Sequence, residues 1–90
     1  MGYEWLVPAL NSLRGIEPHE VMQVLGGKRR RPRPARGPDG HPVLTIWGRT
    51  TDGKPVIVVV RRLETWDWQI IGARVMHPGE ASEFEAWEER

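Results

Sequence analysis

The sequence predicts an α+β fold: an antiparallel sheet of three to four strands, with two short N-terminal helices and one C-terminal helix packed on it. Three observations carry that expectation. Leucines and valines recur at helical spacing in the first quarter of the chain, and Ala81, Phe84 and Trp87 do so near its end. Between them lie three runs rich in branched and aromatic residues, 43–49, 55–62 and 68–76. Turn-forming residues separate these runs and connect them as a meander. Ninety residues close one hydrophobic core, so 1–90 reads as a single domain.

Taken in order, Pro8 suits a first helical position, and Leu6, Leu10 and Leu13 recur before Gly15 stops the segment. Pro18 opens a second short helix with Val21, Val24 and Leu25 on one side, and Gly26-Gly27 ends it. Residues 26–42 then change character. Eight of the seventeen are Gly or Pro and six more are Lys or Arg, which leaves an edge strand with a loop or a mobile basic arm. Gly37-Pro38-Asp39-Gly40 is a turn. In the first firm strand Leu44 and Ile46 face one way, and Val43, Thr45 and Trp47 the other. Asp52-Gly53 reads as a two-residue hairpin turn, because both residues tolerate positive φ. The branched run Val56–Val60 marks a central strand covered on both faces. A turn at Glu64-Thr65 leads into the third strand, and Pro78 with Glu80 begins the last helix.

Composition excludes several function classes. Without cysteine there is no disulfide scaffold and no cysteine-ligated zinc or iron–sulfur site, which suits a reducing cytoplasm. The longest apolar run, Val56–Val60, is far short of the ~20 residues that span a bilayer. The start, Met1-Gly2-Tyr3-Glu4-Trp5, lacks the pattern of a secretory signal. A cytoplasmic protein without membrane contact is expected. His19, His41 and His77 are too dispersed for a metal site, and no phosphate-cradling loop is visible, so neither a metal site nor a nucleotide site is expected. The net charge of +1 conceals an asymmetry: residues 1–27 carry −2, residues 28–74 carry +7 and residues 75–90 carry −4. A basic middle between acidic ends suits a polyanion or an acidic partner.

Tyr3-Glu4-Trp5, Leu13-Arg14-Gly15-Ile16, Pro18-His19-Glu20-Val21, Gly48-Arg49-Thr50 and Ile70-Ile71-Gly72-Ala73-Arg74 stand in the order of similar segments in BrnT-like proteins. The stretch from Ala73 to Glu80 is also similar to the A-R-D-M-T-P-x-E segment of one branch. Over nearly its whole length, most loosely at 26–42, the chain resembles this toxin half of a bacterial type II toxin–antitoxin pair, related to the RelE superfamily of small ribonucleases. The resemblance implies a RelE-like fold and a metal-independent endoribonuclease that cleaves mRNA and inhibits translation. It also implies no cofactor and a cognate antitoxin as partner. The sequence departs from the family where Arg14 replaces the usual histidine and where Val75, not a second arginine, follows Arg74. The last helix is acidic, and Phe84 lacks a tyrosine hydroxyl. These departures open an alternative: a catalytically inactive relative that binds protein or nucleic acid through residues 28–36.

RNA cleavage by the 2′-oxygen needs a proton acceptor, a cation to stabilise the phosphorane and an acid for the leaving oxygen. Arginine's planar fork suits the phosphorane, and histidine suits the proton. In a meander the ends of the first and third strands share an edge, which sets Arg49 and Arg74 roughly 10 Å apart with His77 just beyond. Those three are the candidate catalytic residues. With Arg49 opposite Val56, a two-residue second turn sets Arg74 opposite Pro55 and on the other face; a three-residue turn brings it opposite Val56 and onto the same face. His77 has a second reading, as the residue in a helix-capping place.

Lys28, Arg29, Arg30, Arg31, Arg33 and Arg36 are candidate RNA or partner contacts, salt-sensitive and indifferent to sequence. Arg61 and Arg62 face opposite sides of the central strand, and either extend that track or pair with Glu64 or Asp67. Trp5, Trp47 and Trp87 fit core packing, whereas Trp66 and Trp68 fit the core or an exposed base-stacking pair. The glutamates of the last helix read as a solvated face.

Overall fold

A computed structural model describes residues 2–64 and 66–90; Met1 and Thr65, the latter half of the expected Glu64-Thr65 turn, lie outside them. The elements run β1 (Tyr3–Trp5), α1 (Val7–Asn11), α2 (Pro18–Leu25), β2 (Arg31–Arg36), β3 (Pro42–Arg49), β4 (Pro55–Arg62), β5 (Trp68–Val75) and α3 (Pro78–Glu88). They make one five-stranded sheet, ordered β1-β5-β4-β3-β2, and three helices. The α+β class stands, with one strand more than the three to four expected. The addition is β1, which pairs in parallel with β5 through Tyr3 opposite Trp68 and Trp5 opposite Ile70. Three residues recruited from the far end of the sequence leave no local periodicity to find.

Segment 26–42 holds an edge strand and its turn. Pro32 and Pro34 stand opposite Ile46 and Leu44, at positions that require no ladder donor. The outer edge therefore offers no N–H there to a further strand.

All three hairpins are closed alike. Gly37, Thr50 and Leu63 donate their N–H to the carbonyls of His41, Lys54 and Asp67, and accept from Gly40, Gly53 and Trp66 respectively. The connection at Asp52-Gly53 is thus one residue longer than expected, running Thr51-Asp52-Gly53, and Arg49 opposes Pro55, not Val56. A second departure lies in β5. Val60 opposes Ile70 but Val59 opposes Gly72, so Ile71 bulges out and Arg74 opposes Ile57 rather than Pro55 or Val56. Pro55 and Ile57 point to one side of β4. The two one-residue departures cancel, and Arg49 and Arg74 share a face.

The opposite face carries the larger core. Val21, Val24 and Leu25 of α2, with Ile16, pack on Ile46, Val56, Val58, Val60 and Ile70. Gly48 lets α2 come close: a Cβ there would sit 3.0 Å from Val24 Cγ1. Glu20, the one buried acid among the described residues, accepts from the Glu17 N–H at 2.8 Å and from Lys54 Nζ at 3.0 Å. These bonds hold its carboxyl below the usual range and tie α2 to the β3–β4 turn. On the arginine face Phe84 of α3 packs with Trp47, Ile57 and Met76. No described helix is long and apolar enough to cross a membrane.

Gly48 and Gly72 make a matched test of this packing. Gly48→Ala forces a methyl against the buried Val24 and lowers stability by about 1–3 kcal/mol in urea denaturation. Gly72→Ala, which meets nothing within 4 Å, leaves stability unchanged or slightly higher.

Candidate anion site beneath the last helix

Alternation along β2, β3 and β5 aims Arg31, Arg33, Arg49 and Arg74 at one side of the sheet, the side that α3 covers. Each meets a glutamate there. Arg74 grips the Glu80 carboxylate with two bonds, Nη1 at 2.6 Å and Nη2 at 2.7 Å. Arg49 donates through Nε and Nη2 to Glu88, the shortest bond at 2.8 Å, and through Nη1 to the Gly53 carbonyl. Arg31 and Arg33 converge on Glu83. Arg33 also lies over the Trp47 ring, 5.1 Å from its centroid.

The candidate catalytic arginines are therefore brought to one face and at the same time neutralised. A phosphate reaching either guanidinium has to displace a carboxylate held in two-point geometry. His77 is exposed at the N-cap of α3, where its backbone N–H donates to Glu80 at 2.9 Å. It stands next to the Arg74–Glu80 pair. Beside that pair lies a hollow of about 310 Å³, bounded by Arg33, Thr45, Trp47, Val59, Arg74 and Glu80.

The basic segment divides. Arg29 donates to the carbonyls of Trp87, Glu88 and Arg90 and stacks on Trp87, supplying the cation that the last turn of α3 lacks. With Arg31 and Arg33 on Glu83, three of the six expected contact residues hold the protein's own helix. Arg36 caps the turn carbonyl of Gly40, while Lys28 and Arg30 extend into solvent. Arg61 bonds to Gln69 at 2.7 Å, and Arg62 lies over the rings of Trp66 and Trp68. The expected pairing of Arg61 or Arg62 with Glu64 or Asp67 does not appear among the described ion pairs.

The glutamates of α3 are not a uniformly solvated face: Glu80 and Glu88 are half-buried against arginines. Their spacing flanks Phe84, and a helix with so thin an apolar stripe was the available signal that something else holds it. Trp66 is not core, being 69% exposed. Among the described residues, no group of three or more His, Asp or Glu is arranged around a metal position. Compared with protein-family models and with curated proteins, the chain finds no match.

The Arg74–Glu80 pair has a pH signature. Arg74's hydrogen bonds, helped by the His77 N–H, hold the Glu80 carboxyl at about 2, down from an ordinary 4.5. A depressed folded-state value means that the stabilisation is complete above about 4.5 and is lost as pH falls towards 2. Urea midpoints of the native chain should fall more steeply across that window than those of Glu80→Gln, and Arg74→Ala should flatten the profile in the same way.

Proposed function

We propose that this chain is a nucleic-acid-binding module on a BrnT-like, RelE-related scaffold, and that it does not cleave RNA while α3 is docked. One observation supports this reading. The two arginines that the chemistry requires are neutralised by Glu80 and Glu88, whereas Lys28, Arg30, Arg36, Arg61 and Arg62 are exposed with no carboxylate at ion-pair distance among the described residues. Unneutralised guanidinium and ammonium groups on a surface release counterions when they meet phosphates, and this drives binding without choosing a sequence. A cytoplasmic location, RNA as the polyanion and the absence of a cofactor belong to the same proposal.

A second reading, the toxin endoribonuclease restrained by a cognate antitoxin, is favoured by the shared face of Arg49 and Arg74 beside a hollow. It requires α3 to release both arginines, after which they would stabilise a phosphorane formed by the 2′-oxygen and His77 would transfer a proton.

Anisotropy titration with a fluorescent single-stranded RNA of about ten nucleotides separates the two readings. Binding should weaken steeply between about 50 and 200 mM salt, by a log–log slope of about −0.7 for each phosphate neutralised. The RNA should remain intact on a gel, and Lys28→Ala with Arg30→Ala should reduce the slope. Cleavage by the native chain that disappears in an Arg49→Ala, Arg74→Ala variant would replace this reading with the toxin. Absence of binding at low salt would overturn it.

A further inference from the structure

The third residue of each hairpin turn has positive φ: Gly40 at 82°, Gly53 at 89° and Trp66 at 71°. The same hydrogen bonds close all three turns, so the three positions are equivalent. Glycine takes that conformation freely, and a bulky side chain takes it only against steric resistance. Burial does not compensate at Trp66, since 69% of the residue is exposed. A strained residue kept on the surface is a pointer to function.

Its surroundings specify what it would hold. The Arg62 guanidinium lies over two rings, its carbon 4.8 Å from the centroid of Trp66 and 5.3 Å from that of Trp68. Stacking occupies the faces of a guanidinium and leaves its N–H edge free to donate, and no carboxylate lies at ion-pair distance from Arg62 among the described residues. Register carries the row further. Arg62 opposes Trp68, and Trp68 is level with Tyr3, which is also exposed. Trp66 is largely exposed, a guanidinium lies over its ring, and the half-buried Trp68 and exposed Tyr3 continue the aromatic row across β5 and β1. Exposed Glu64 on the same turn opposes an anion, so ring stacking has to supply more of the hold than charge.

We propose that the row Tyr3, Trp68, Arg62 and Trp66 is a stacking platform for single-stranded nucleic acid, with a base on the outer face of Trp66 and a phosphate at the edge of Arg62. This rests on the nucleic-acid reading above and assigns it a place at the end of the sheet away from Arg49 and Arg74. A duplex, whose bases are already stacked on one another, has no free face to offer and binds the platform poorly.

The test uses the full chain with labelled oligouridylate and a duplex of equal length, and compares native protein with Trp66→Gly and Trp66→Phe. Trp66→Gly should melt at the same temperature as the native chain or higher, because glycine relieves the turn, yet bind the single strand roughly tenfold or more weakly. Trp66→Phe should keep most of the affinity, and duplex binding should be weak and alike in all three. Native-like affinity in Trp66→Gly would overturn the platform while leaving the nucleic-acid reading intact, and would turn attention to a peptide as the occupant of the row. A lower melting temperature in Trp66→Gly would show that the ring is a structural brace, and would also overturn it. No binding by the native chain would remove the reading and the platform together.

Discussion

Register governs this molecule. Side chains alternate along a strand, so a shift of one residue carries an arginine from one face of the sheet to the other. Two such shifts occur, a third residue in the β3–β4 turn and the bulge at Ile71, and their effects on facing offset each other. Either one alone would send Arg49 and Arg74 to opposite faces, one of them into the apolar layer beneath α2. Together they place both arginines under α3, and the pairing of Glu80 and Glu88 follows from that placement.

The two faces are consequently held by different physics. Beneath α2 the contact is dry and apolar, tightened by the missing side chain at Gly48. On the other face α3 has one fully buried residue, Phe84, whose burial is worth about 1.5–3 kcal/mol. The surrounding ion pairs are partly exposed and add at most about 1 kcal/mol each. Orientation, more than strength, is what they supply: arginines from three strands, and Arg29 at the helix end, fix where the helix lies. The same pairing converts a face that reads as an anion site into a neutral one. The exposed positive charge is left at the margins, around Lys28 and Arg30 and at the Arg36, Arg61 and Arg62 end.

Much of the element plan was legible because it is written in local chemistry. Pro18 and Pro78 open helices at the positions where a missing N–H costs nothing, and β4 spans 55–62 as its branched run implied. Phe84 and Trp87 face the sheet as their spacing required. What was illegible depends on distance or on single residues. β1 has only its partner to define it. Turn length and bulge are one-residue matters to which periodicity is blind, although Gly72 inside a strand is the residue type that accompanies bulges. The arginines were identifiable as candidates, but their carboxylate partners were not, since an acidic helix looks the same whether it faces water or cations. Trp66 escaped because glycine is the expected occupant of such a turn.

The claim on which the functional reading turns is that Arg49 is engaged by Glu88 in the folded chain. A double-mutant cycle on Arg49→Ala and Glu88→Ala, read as unfolding free energy, measures that engagement alone. A coupling of about 1 kcal/mol, shrinking in high salt, is the predicted result. Additive effects would mean that the guanidinium stands free beneath the helix, available to a phosphate after all.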